Sequence, residues 1–165
     1  MNNPKTKEQE EQILLRKHRD TLYISGNGIM VFGAWSLIQS FFYATILQQE
    51  LKDMVGLESN YPEGLLYIVM FVLVAIEIAF RLYIGFSARA VSKGKKKSPA
   101  YLVTCILVTL YYLFILIENI SDPSRYGILR YIITIILDLT SLYIHVEVVY
   151  AGIKVRKILR SDHAD

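Results

Sequence analysis

The sequence predicts an all-α integral membrane protein: a four-transmembrane-helix bundle, N-in and C-in, with no extramembrane domain. Three observations predict it. Apolar residues come in four blocks, each long enough to cross a bilayer. Lys and Arg gather in the segments that lie on one side of those blocks. Most of the tyrosines collect near block ends. Hydrophobic residues make up 53% of the 165 residues, with a mean hydropathy of +0.35. Globular chains hold about 45–50% apolar residues with charge scattered more evenly. About 30 Å of hydrocarbon takes about 20 helical residues at about 1.5 Å each, so four spans and short connections use nearly the whole chain.

Residues 1–20 read as a cytoplasmic arm of mixed charge, with Lys5, Lys7, Glu8, Glu10, Glu11, Arg16, Lys17 and Arg19. They hold no short apolar run ending in small residues, so no cleavable signal is expected and the first span serves as its own targeting signal. The membrane domain takes residues 21–154. Its first span, about 22–47, has no charged residue from Thr21 to Gln49. Gly26, Gly33 and Ser40 recur at steps of seven with Ser36 beside them, a seam of small residues where helix backbones can approach closely. Packing within the chain and pairing with a second copy are both open uses of that seam. The stretch Ser25-Gly-Asn-Gly28 is expected to weaken the inner end of this helix.

An acidic connection leads to the second span, about 65–87, which carries Glu77 and Arg81. The basic loop Arg89–Lys97 closes with Ser98-Pro99, a helix start, because proline at the first helical position gives up no useful N–H. The third span, about 100–119, holds the single cysteine, Cys105, which excludes a disulfide framework and a cysteine metal site. The fourth runs from about 127 to 153, and residues 155–165 form a basic tail.

Orientation follows from the cations. Fourteen of the 18 Lys and Arg residues lie in the arm, the middle loop and the tail, and three lie on the opposite side. The positive-inside rule makes the basic face cytoplasmic. Richness in Ile, Lys and Tyr with only four prolines points to a bacterial source, hence a multi-pass protein of the inner cell membrane.

The informative residues are those expected at mid-depth. Counted inward from the outer boundary, Glu77 lies about 18 Å deep and Asp138 about 16 Å deep. A charge at that depth costs on the order of 3 kcal/mol and should face protein or water. Arg81 is one turn from Glu77 on the same face, an (i, i+4) pair in the favourable order. One cation neutralises one carboxylate, so the other must be protonated, solvated or bound to a cation.

On the fourth span Thr134, Asp138, Ser141 and His145 form a polar stripe, extended by Gly152. On the third, Tyr101, Thr104, Cys105, Tyr112 and Asn119 share a face. Such stripes turn inward. Two polar stripes with Glu77 and Arg81 suit a proton- or cation-linked transport or channel protein that works as an oligomer. Glu77 and Asp138 would be its ion-handling acids, Arg81 the counter-charge and His145 a relay, with Tyr111 and Tyr112 in support.

The alternative is a non-catalytic accessory or interaction subunit of a larger membrane complex. There the charges are glue, and Asp138 bonds to Tyr111 or Tyr112. Glu147 reads as structural, near the inner interface and drawn toward Lys154.

Enzyme classes find no support. There is no Gly-x-Ser-x-Gly elbow, phosphate loop or His-Glu-x-x-His pair, and Ser36 and His145 differ too much in depth to form a dyad. No cofactor or metal is implied. The partners expected are the lipid bilayer, anionic lipid headgroups at the basic loop and tail, and a second copy or a larger complex. Nucleic acid is not expected, because topology already accounts for the basic segments.

Overall fold

The computed structural model describes residues 4–45, 63–96, 98–121 and 128–161. Among these there are four helices: α1 Pro4–Thr45, α2 Glu63–Ser92, α3 Ala100–Ser121 and α4 Ile128–Ser161. Four stretches are long and apolar enough to cross a membrane: Gln9–Ile38, Phe71–Ser92, Ala100–Ser121 and Tyr131–Leu159. At about 1.5 Å per residue, α1 is about 63 Å long and α4 about 51 Å. Both exceed the hydrocarbon thickness, because the charged arm and the basic tail continue the helices of the neighbouring spans.

Each helix buries one stripe. Leu22, Ser25, Gly26, Ile29 and Gly33 face inward from α1, and Arg81, Ile84, Gly85, Ala88 and Val91 from α2. On α3 the buried residues are Tyr101, Leu102, Cys105, Tyr112 and Leu116. On α4 they are Ser141, His145, Val148, Ala151, Gly152 and Val155. Steps of three and four dominate each set, as a helix with one inward face requires. The most extensive packing joins α1 to α2, followed by α1 to α4 and α3 to α4, while α2 meets α3 more lightly.

The apolar core sits at the end of the bundle that carries the basic loop. Leu22, Ile29, Ile84, Ala88, Val91, Leu102, Cys105, Val148, Ala151 and Val155 form one cluster there. Close backbone contact makes it tight. A Cβ added at Gly85 would lie 2.8 Å from the carbonyl oxygen of Gly26, and one added at Gly152 would lie 2.6 Å from Leu102.

The glycines of α1 serve packing between helices. Ser25–Gly28 does not interrupt the helix. Gly26 lets α2 approach and Gly28 faces Ile144 of α4, so packing on both sides offsets a propensity loss of about 1 kcal/mol per glycine. Gly26 and Gly33 both face α2, which gives the seam a use within the chain; the Ser40 side chain lies outside the described ones.

Candidate functional site

Above the apolar core the inward stripes turn polar. Arg81 is only 4% exposed, and α2 places it one turn beyond Glu77. Arg81 Nη2 lies 2.7 Å from Glu77 Oε1. The hydroxyl of Tyr112, reaching across from α3, joins the pair: it donates to Glu77 Oε1 at 2.6 Å and accepts from Arg81 Nε at 2.9 Å, with Arg81 Nη2 also in contact. Ser36 Oγ of α1 lies 3.3 Å from the same Glu77 oxygen and 3.2 Å from the Phe32 carbonyl, so its single hydrogen serves one acceptor at a time. Three helices thus meet on Oε1, while the Glu77 side chain keeps 32% of its surface exposed. A long guanidinium and a tyrosine suit the lighter α2–α3 seam, because both reach across where backbones do not.

His145 is fully buried beside this knot, its ring centroid 5.2 Å from that of Tyr112. Nδ1 lies 2.7 Å from the Ser141 carbonyl. A carbonyl only accepts, so Nδ1 carries the proton and Nε2 of the neutral ring presents a lone pair. Below it, Cys105 Sγ donates to the His145 carbonyl at 3.5 Å.

Asp138 belongs to a second group. Asn119 Nδ2 donates to its Oδ2 at 2.8 Å, in place of the Tyr111 or Tyr112 contact expected from sequence. Tyr111 is 57% exposed and touches Tyr112 edge-on, with ring centroids 5.7 Å apart. It does not line the interior, since neighbouring helical residues point about 100° apart and Tyr112 takes the inward position. Thr134 is half-buried on α4.

The two acids share one support. Tyr112, which holds Glu77, and Asn119, which holds Asp138, are seven residues apart on the same face of α3, about 10 Å along its axis.

Four buried side-chain atoms near this stripe have no hydrogen-bond partner among the described residues: Arg81 Nη1, Ser141 Oγ, His145 Nε2 and Tyr101 Oη. An unpaired buried polar group costs about 1–3 kcal/mol, and these four are spread along the stripe, from Tyr101 near one end of α3 to Arg81 at the level of Tyr112. Among the described residues no three His, Cys, Asp or Glu side chains converge as a metal-ligand set.

Other arrangements were not foreseen from sequence. Glu147 is held between helices: it accepts from Ser25 Oγ of α1 at 2.7 Å and from the Tyr143 hydroxyl at 2.6 Å. Lys154, expected to draw Glu147, lies over Tyr150 instead, 5.5 Å from the ring centroid. The Tyr143–Glu147 spacing of four was a usable signal; the Ser25 bond depends on how α1 is rotated against α4, which spacing does not encode. Asn119 was placed on the polar face of α3 without a partner for the same reason.

Comparisons with protein families, with curated proteins and with solved structures give no match to this chain.

Proposed function

We propose that the chain is a multi-pass membrane protein, its basic face cytoplasmic, that passes protons along the polar stripe of α3. One observation carries this reading. From Asn119 to Tyr101 the stripe covers about 27 Å of helix axis, close to the about 30 Å of a bilayer core. Along it lie, in order, Asp138 with Asn119, Glu77 with Tyr112 and Arg81, His145 with Ser141, then Cys105 and Tyr101.

Carboxyl, phenol and imidazole groups can each give and accept a proton. Asp138 and Glu77 are the exchanging acids. Arg81 holds the charge that lets one of them stay ionised in a low-dielectric layer. Tyr112 already connects Glu77 to Arg81, and its ring lies against His145. His145 Nε2 is the next free acceptor toward the basic end. The apolar cluster around Ile29, Ile84 and Val148 favours a resting state closed on that side, so passage requires the helices to loosen there. A chain of this size fits work as an oligomer in the cell membrane.

The accessory reading draws on a specific observation too: Glu77 Oε1 is shared by three helices, as structural glue would be. Reconstitution separates the two. Purified protein in liposomes loaded with a pH-sensitive dye should dissipate an imposed proton gradient faster than protein-free liposomes. Equal rates would remove the transport reading and leave the interaction subunit.

A further inference from the structure

α2 ends in a formed cap. The N–H of Gly94 donates to the Val91 carbonyl at 2.9 Å, and that of Lys95 to the Ala90 carbonyl at 3.0 Å. This is the paired bonding of a Schellman motif. The motif needs a left-handed residue, and Gly94 has φ +78°. The cap doubles the chain back, so Lys95 comes to lie beside Ala90 instead of running away from the helix.

An open surface groove of about 250 Å³ results, lined by Phe86, Arg89, Ala90, Lys93 and Lys95. Three of its walls are cations and two are apolar. At about 30 Å³ per water, it holds roughly eight waters, room for a headgroup and not merely a lone ion. The helix end carries a partial charge of about −0.5, but three formal positive charges outweigh it and the cap engages two of the terminal carbonyls. Arg89 is steadied by Tyr23, its guanidinium carbon 5.5 Å from the ring centroid. Beyond the groove the helix continues an exposed apolar strip through Phe86 and Tyr83. Cations at a helix end above an exposed aromatic strip match an amphiphile with an anionic head.

We propose that this groove binds one anionic glycerophospholipid. Its phosphate sits among Arg89, Lys93 and Lys95, and the first acyl carbons run along Phe86 and Tyr83. The proposal rests on the membrane reading above and is independent of proton passage. Lipid is its occupant because the apolar strip would have no use for free phosphate.

The test is native mass spectrometry of the detergent-purified full chain, offered phosphatidylglycerol and phosphatidylcholine in equal amounts. One phosphatidylglycerol should be retained in preference to phosphatidylcholine. Lys93→Gln and Lys95→Gln should each reduce that retention about fivefold, the equivalent of about 1 kcal/mol per basic residue. Lys96→Gln removes the same charge from an exposed residue that does not line the groove, and should leave retention unchanged. Gly94→Ala keeps every charge but puts a β-carbon at positive φ, so it should lose lipid as the lysine variants do. Equal losses from Lys95→Gln and Lys96→Gln would overturn the site in favour of a diffuse field. Equal retention of the two lipids would overturn it as well. Release of the protein from membranes by alkaline carbonate would instead overturn the membrane reading, a distinguishable failure.

Discussion

Arg81 and Glu77, one turn apart on α2, meet at 2.7 Å through Nη2 and Oε1, and the hydroxyl of Tyr112 bonds to both from another helix. The pair is therefore a junction between helices as well as a local ion pair. Its removal should register in the stability of the whole bundle.

Arg81→Leu leaves Glu77 without the guanidinium that pairs with it. Removing one partner of a buried pair costs about 3–5 kcal/mol in soluble proteins. The melting temperature in detergent should fall clearly at neutral pH. Adding Glu77→Gln should recover part of the loss. Wild-type stability in Arg81→Leu at neutral pH would show that Arg81 does not compensate a carboxylate.

Gly85 and Gly33 make opposite predictions on the same interface. A Cβ at position 85 would lie 2.8 Å from the Gly26 carbonyl and 2.6 Å from Met30 Cγ. The methionine can move, but the carbonyl is backbone. Gly85→Ala should destabilise by about 1–3 kcal/mol through overpacking. At Gly33 the nearest atoms are Arg81 carbons at 3.5 Å, an ordinary contact. Gly33→Ala should be neutral or stabilising, because alanine is favoured in helices by about 1 kcal/mol. Thermal melts of the two variants check this, and equal losses would contradict the close approach.

Four long apolar helices were legible in the sequence because helix rise is fixed and each block is contiguous. The spacing of four paired Glu77 with Arg81, but counting residues at that rise put Glu77 and Asp138 at nearly one level, whereas α3 holds them seven residues apart, about 10 Å along its axis. Rotation of one helix about its axis against the next was not legible. It decides that Asp138 meets Asn119 instead of Tyr112, that Tyr111 faces out, and that Ser25 reaches Glu147. Hydrophobic period says which face turns inward but not which inward residues touch. The unbroken course of α1 through Ser25–Gly28 was hidden for a related reason: propensity is local, and the packing that overrides it comes from α2 and α4.

Orientation is open to direct labelling. Cysteines introduced at Ser59 and Ser124 should react with an impermeant thiol reagent in intact cells, and ones at Lys96 and Ser161 should react only after permeabilisation. The native Cys105 is fully buried and should stay silent. The reverse pattern would place the basic face outside.

Glu77 of α2 and Asp138 of α4, held by Tyr112 and Asn119 of α3, are the groups proposed to carry protons, and gradient dissipation by matched variants in dye-loaded liposomes measures that transfer. Glu77→Gln and Asp138→Asn keep the shape of each side chain and remove its exchangeable carboxyl proton. Each should abolish the flux of the wild-type protein, while helix content by circular dichroism is retained. Wild-type flux in both variants would contradict the account.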